Sequence, residues 1–304
     1  MAKPFISILM ATYNGEAYLQ EQLQTLAEQS LSFSELLISD DGSSDRTLEI
    51  LQDFKCANAN RAVKIFNGPK KGASENFWSL FSHVSKQSDF VAFADQDDIW
   101  MPDKVSRAVA QLVKESGPAL YGSRSIICTS DGKKAGKSFQ LRRPPRFENA
   151  LVQNVMSGNS MMMNRAGFEI LKTSRGCGYI YDWYIYQLLS GAGAKIIHDP
   201  QPSLFYRQHA ANQIGANSGL TARALRIVQV LDGSFSVWNQ TNRAALWADR
   251  KLLTASAKQT LIGFFLLGHM NGQVAIRELK KLELFRQGLM GAIGLKITAF
   301  LGLL

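Results

Sequence analysis

The stretch Phe90-Val91-Ala92-Phe93-Ala94-Asp95-Gln96-Asp97-Asp98-Ile99-Trp100 decides the reading of this chain. Its first five residues form an apolar run of strand length that stops abruptly at carboxylates. Asp95, Asp97 and Asp98 lie within four positions, and Asp103 follows Met101-Pro102. Like charges this close raise one another's pKa, so the cluster asks for a positive partner. Oxygen ligands at alternate positions suit a hard divalent cation, Mg²⁺ or Mn²⁺, with places left open for substrate phosphates. The same residues also fit a solvated acidic turn, or an N-cap for a helix starting near Pro102. A D-x-D alone does not choose between these.

The residues before it supply a context. Phe5 to Thr12 is a second apolar run of β type, closed by Tyr13-Asn14-Gly15. Leu19, Leu23, Leu26 and Ala27 then recur at helical spacing. Leu36-Leu37-Ile38-Ser39 predicts another strand, ending in Asp40-Asp41-Gly42-Ser43-Ser44-Asp45, and Leu48, Ile50, Leu51 and Phe54 mark a helix after it. Val63-Lys64-Ile65-Phe66 predicts a third strand, which makes the acidic one the fourth. Alternation of this kind implies an α/β fold, a mostly parallel sheet flanked by helices, with right-handed crossovers. Ligands bind such sheets beyond the carboxyl ends of the strands, where Asn14, Asp40, Asp41, Asp95 and Asp97 all fall.

Taken in order, Ser7 to Gly15, Ile38 to Asp45 and Ala94 to Lys104 resemble the family-2 inverting glycosyltransferases, nucleotide-sugar enzymes of the GT-A fold. The resemblance runs over roughly the first 215 residues. Tyr181-Asp182-Trp183-Tyr184 and Tyr206-Arg207-Gln208-His209, with Asn212 and Gly215 behind, are similar to the bacterial rhamnosyltransferase branch, as is Met156 to Arg165. That branch reads His-Asp-Trp-Trp where this chain has Tyr-Asp-Trp-Tyr, a departure that touches acceptor contacts more than chemistry. The resemblance implies a donor such as dTDP-L-rhamnose or a UDP-sugar, and a bacterial surface glycan or glycolipid acceptor. It implies Asp182 as general base, and its aromatic flanks would desolvate that carboxylate and raise its pKa. It places Asp97, Asp95 and His209 at the metal. Thr12, Asn14, Glu16, Asp40, Asp41, Lys71, Asp95, Gln96 and Arg207 are implied around the nucleotide sugar, the Arg207 fork being suited to a diphosphate. Trp183, Tyr184 and Asn159 are implied on the acceptor side. On the residues alone, Asp182 could instead cap the following helix, with Trp183 and Tyr186 in the core.

Two other classes fit less well. No G-x-G-x-x-G follows the first strand, where Thr12-Tyr13-Asn14-Gly15-Glu16 stands, so a dinucleotide oxidoreductase lacks its fingerprint. A non-catalytic sugar-binding protein on the same fold would be suggested by loss of Asp97 or Asp182, and both are present.

The 304 residues allow one large α/β domain, 1–215, with a helical extension, 216–304. Cys56, Cys128 and Cys177 are too few and scattered for a disulfide framework, which fits a reduced cytoplasm. The N-terminal apolar run is better used as a strand than as a signal peptide. The net charge of +9 is uneven: from Thr221 onward eleven basic residues face four acidic ones, a net +7 in 84 residues. The same region holds Leu261 to Leu267 and an apolar terminus from Gly288 to Leu304. Basic charge beside apolar faces predicts contact with the inner face of the cytoplasmic membrane, lying on it rather than crossing it. Packing on the catalytic domain, or a homodimer, is the alternative. No nucleic-acid-reading motif accompanies the charge.

Overall fold

The structure, a computed structural model, describes residues 3–176, 180–209 and 234–304, with backbone alone for 234–239. Strands β1 (Ile6–Thr12), β2 (Glu35–Asp40), β3 (Ala62–Asn67) and β4 (Phe90–Ala94) alternate with helices α1 (Leu19–Ala27), α2 (Thr47–Ala57) and α3 (Ala73–Ser79). They pair in parallel in the order β3-β2-β1-β4. This is the parallel half that the alternation predicts. β2 and β4 are buried along their whole length because helices cover both faces, which is why they read as unbroken apolar runs.

The remaining strands are β5 (Ile99–Trp100), β6 (Ala119–Thr129), β7 (Lys134–Lys137), β8 (Met162–Asn164) and β9 (Lys195–Gln208), with β7 pairing on β6. Here the sheet turns mixed. β8 is antiparallel to both β4 and β6, β9 is parallel to β6, and β5 is antiparallel to β9. Helices α4 (Lys104–Leu112), α5 (Phe147–Ala150), α6 (Arg165–Thr173) and α7 (Tyr181–Gly191) complete this half. α4 begins after Asp103, whose side chain makes no cap bond, so the acidic run does not act as a helix cap.

The two-residue period of the strands divides the core. Ile6, Ile8, Met10, Leu36 and Ile38 point to α1 and α4, meeting Leu19, Leu23, Val105 and Leu112. Leu9, Leu37, Val91 and Phe93 point the other way, to Phe77 of α3, Phe168 of α6 and α7. This second core continues into helices α8 (Ser234–Ala248), α9 (Ala255–Leu267), α10 (Gly272–Lys281) and α11 (Leu289–Phe300) through Leu246, Leu261, Phe264, Leu279 and Leu295. The C-terminal helices thus share the catalytic half's core, while the expected boundary at 215/216 lies outside the described residues.

Register sets the site. Thr12 lies opposite Asp40, and Asp40 opposite Asn67, so the ends of β1, β2 and β3 emerge in one row. β1 has β2 on one side and β4 on the other, which makes the gap between β1 and β4 the point where strand order reverses. Because α9 belongs to the common core, Phe264→Ala should destabilise the whole chain by about 3–5 kcal/mol. Urea unfolding should show one transition moved to lower denaturant. A main transition left in place, with a separate early one, would mean the tail folds by itself.

Candidate active site

The β1–α1 and β2–α2 loops are laced together. Asn14 sits at φ +46, in the left-handed region that Asn tolerates. Its amide donates to Ser43 Oγ (2.8 Å) and its Oδ1 accepts from Ser44 N (2.9 Å). Glu16 Oε2 accepts from Arg46 N, and Glu16 N donates to Asp45 Oδ2, both at 3.0 Å.

Asp40 and Asp41 are neighbours with different capacities. Asp40 Oδ1 accepts from the amides of Gly42 and Ser43, and its Oδ2 from the hydroxyls of Thr12 and Ser43. Four bonds fill a carboxylate's acceptor capacity, so Asp40 and Thr12 build the turn. Asp41 accepts from Lys70 N (2.6 Å) and Gly72 N (2.8 Å), one bond per oxygen, and keeps acceptor capacity for a ligand. Lys71 is exposed on the loop that Asp41 holds.

Gln96, expected at the nucleotide sugar, is bonded to the main chain of Tyr13. Its Oε1 accepts from Tyr13 N (2.9 Å) and its Nε2 donates to Tyr13 O (3.0 Å), a strap across the β1–β4 gap. A Cβ on Gly15 would come against Gln96 Oε1, so any larger residue there would have to displace the Gln96 side chain.

Behind this gap lie the carboxylates. Asp98 is buried, with Oδ2 accepting from Asn159 Nδ2 (2.7 Å) and Oδ1 without a hydrogen-bond partner. Burial first, then Asp95 and Asp97, raise its pKa well above the ordinary carboxylate value. Asp95 is recessed, and desolvation, then the charges of Asp97 and Asp182, push it up to about 8. The counter-charge is Lys104, also buried, whose Nζ lies 4.3 Å from the Trp100 ring centroid. Desolvation lowers it to about 7 against the pull of Asp98 and Asp95.

Asp182 stands in the first turn of α7 without capping it. Its Oδ2 accepts from Gly158 N (2.9 Å) and its Oδ1 from Asn154 Nδ2 (3.0 Å). Burial raises its pKa to about 6, and the bonds from Gly158, Trp183 and Asn154 oppose the rise. Tyr181 packs between the two halves, stacked on Phe77 at 4.4 Å.

The β5–β9 ladder delivers the last groups. Ile99 lies opposite Phe205 in antiparallel register, which carries Arg207 and His209 toward Asp97. His209 Nε2 is 2.8 Å from Asp97 Oδ2, and its ring stacks on Tyr18 at 4.8 Å. Arg207, expected at the diphosphate, is buried and donates to Glu21 Oε2 (2.5 Å), Ser130 O (2.8 Å) and Asp97 O (3.2 Å). It holds the main chain that presents Asp97.

The three residues expected on the acceptor side are also interior. Trp183 Nε1 donates to Ala150 O (2.6 Å), Tyr184 Oη donates to Asp249, and Asn159 ties Asp98 down. All three are buried, because α7 is covered by α5 on one side and α8 on another. Tyr18, Glu21, Asn154 and Lys104 carry parts of the site that sequence reasoning did not select. Only Tyr18 and Glu21, three apart across the start of α1, had a helical spacing that could have linked them. Asn212 and Gly215 lie outside the described residues.

Residues 7–170 match Glycosyl transferase family 2, more than half of the chain. The chain belongs to this family. This glycosyltransferase is 30% identical over 226 residues to the dTDP-rhamnosyl transferase RfbG of Shigella flexneri, which covers 72% of this chain and 78% of that one. It is 30% identical over 122 residues to an Escherichia coli UDP-Glc:alpha-D-GlcNAc-diphosphoundecaprenol beta-1,3-glucosyltransferase, WfgD, spanning 40% of this chain and 46% of the relative. Among solved structures, S. aureus TarS 1–349 with UDP-GlcNAc superposes with a TM-score of 0.57 at 15% identity, over 97% of this chain and 81% of TarS. Mannosyltransferase PcManGT from Pyrobaculum calidifontis, in complex with GDP-Man and Mn²⁺, gives 0.54 at 15% identity, over 98% and 88%. Both likenesses support the GT-A-type sheet flanked by helices.

The donor set suits a divalent cation. Among the described residues no three His, Cys, Asp or Glu side chains already converge on one point. Mg²⁺ and Mn²⁺ sites of this kind need only one or two protein ligands, with water and substrate phosphates completing the shell. Asp97, His209 and the charge excess felt by Asp95 fit that requirement.

Asp98 gives a test of the electrostatics. Its raised pKa means that the native state holds a proton the unfolded chain has released, so stability falls as pH rises from about 4. In the presence of a chelator, Asp98→Asn should therefore raise the Tm near pH 7 and leave it nearly unchanged near pH 4. An equal shift at both values would contradict a raised Asp98 pKa.

Proposed function

We propose that this glycosyltransferase is an inverting, metal-dependent enzyme that moves L-rhamnose from dTDP-L-rhamnose onto a bacterial cell-surface glycan, such as lipopolysaccharide core or O-antigen. The observation that carries the catalytic part is Asp182, a carboxylate raised to about 6 beside the strand-end cluster and held from the side by Gly158 and Asn154. The 30% identity with a dTDP-rhamnosyl transferase over most of both chains supports the donor. A UDP-hexose donor is the second reading, favoured by the 122-residue likeness to a UDP-glucose enzyme.

Inversion follows from one in-line displacement. The acceptor hydroxyl oxygen bonds to the anomeric carbon as the bond to the β-phosphate oxygen breaks. Asp182 takes the hydroxyl proton, and the nucleoside diphosphate leaves. A β-linked donor then gives an α-L-rhamnoside. Asp182 suits this role because the bonds from Asn154 to one oxygen and Gly158 to the other are fewer than the four that fill a carboxylate. Asp41 accepts the pyrimidine N3–H, a bond that uracil and thymine offer equally and adenine does not. Asn14 and Glu16 shape the nucleotide side, and Lys71 approaches the phosphates from its loop. Asp97, with Asp95 and His209, would hold Mg²⁺ or Mn²⁺, which supplies positive charge to the departing diphosphate.

Asp182→Asn should bind dTDP as the parent does and lose about 10²–10⁴ in kcat. The parent's kcat should fall as pH drops through about 6, where Asp182 takes up its proton facing Asp95 and Tyr181. Unchanged turnover in the variant would remove Asp182 as base. Calorimetric titration with Mn²⁺ should find dTDP bound more tightly than UDP, with GDP excluded. Asp41→Ala should weaken dTDP by about tenfold or more, the strength of a charged hydrogen bond. Tighter UDP binding would discard rhamnose and keep the transferase.

A further inference from the structure

Two shallow cavities lie on the C-terminal helices, away from the carboxylate cluster. They surround Trp247 of α8, where Ile262, Phe265 and Leu266 of α9 line a shallow groove of about 310 Å³. Arg250, Lys251 and Lys258 border it, with Arg250 over the Trp247 ring at 4.7 Å.

A second apolar surface lies on α11. Leu295 and Ala299, four apart, face the core. Leu289, Met290, Ile293, Ile297 and Phe300 are exposed, the first two by 72% and 73%. A helix packed on a protein in water normally turns polar residues outward. Among the exposed positions of this helix only Lys296 is polar. The chain's last residue returns to the end of α9, where Leu304 O lies 3.4 Å from where a Cβ on Gly268 would be. Leu301 and Leu303, just before it, are exposed as well.

We propose that the exposed apolar faces of α9 and α11 lie on an anionic lipid bilayer. Residues 234–304 carry nine basic side chains against three acidic ones, so the apolar surface sits in a positive field. Aliphatic side chains for the acyl boundary, a tryptophan beside arginine, and lysines at the rim are what such a surface recognises. α11 has 12 residues and is about 18 Å long, well short of a ~30 Å hydrocarbon core. No helix among the described residues is long and apolar enough to cross a membrane, so the contact is with the surface. A second copy on the same patch would oppose like charge to like charge. The inference does not depend on the donor sugar, and it suits an acceptor carried on lipid.

The test is flotation of the full chain with vesicles of mixed phosphatidylglycerol and phosphatidylcholine, and with phosphatidylcholine alone. The chain should float with the anionic vesicles and far less with the neutral ones. The triple variant Leu289→Ser, Ile293→Ser, Ile297→Ser and the double variant Lys251→Glu, Lys258→Glu should each lose about tenfold or more of the bound fraction. Nucleotide binding by both variants should match the parent, which shows that they fold. Absence of flotation, equal flotation with neutral lipid, or variants that bind like the parent would overturn the proposal. So would a dimer in analytical ultracentrifugation that the triple variant dissociates.

Discussion

Several carboxyl groups share one recessed volume at the ends of β4 and α7, and like-charge repulsion governs the residues around them. Asp95 feels Asp97 and Asp182, and Asp98 feels Asp95 and Asp97, with Lys104 as their shared buried counter-charge. One lysine cannot offset this many carboxylates in a desolvated setting. The fold answers with a gradient. The innermost carboxyl, Asp98, has its pKa raised most plainly by burial and by its two acidic neighbours. Asp182 is placed in the first turn of a helix, where the backbone dipole favours negative charge and two neighbouring donors bind it. Asp97 is left facing an imidazole. Positive charge arriving with the substrate would therefore meet a site that already lacks it.

That gradient explains which parts were legible. The parallel half of the sheet could be read from sequence because β2 and β4 are covered on both faces, so apolar runs and carboxylate stops coincide with strand ends. The mixed half was not legible in this way. β8 has three residues, and β9 contains two prolines and shifts register against β6, so neither has a clean period. The approximate position of the site followed from the strand ends alone. The division of labour within it did not, because the residue type gives no account of filled lone pairs. Asp40 and Asp41 are the same side chain in adjacent positions, yet only the second keeps acceptor capacity.

The expected site residues that the structure buries share a physical cause. Arg207 was suited to phosphate by its chemistry, but its partner Glu21 lies 186 positions away, a pairing no local pattern announces. Trp183 and Tyr184 flank the base in sequence. On a helix, however, adjacent residues point about 100° apart, so neighbours of Asp182 need not share its face. Here both turn into the core, and their polar tips find Ala150 and Asp249.

The bond from Tyr184 to Asp249 also changes the status of the C-terminal helices. Asp249 is buried, and besides Tyr184 Oη it accepts from Arg175 N through both oxygens. Its carboxylate thus ties the end of α8 to α7 and to the segment after α6. α7 carries Asp182 two residues before Tyr184, so the tail braces the helix whose first turn presents the proposed base. Leu246, Leu253 and Leu261 continue the same core beneath it. A tail built only to reach a membrane would need its outer face and a tether. This one has its inner face packed into the catalytic core, which fixes the orientation of any surface that its outer face meets. The position of the proposed base and the orientation of the proposed surface then both depend on the same packed core.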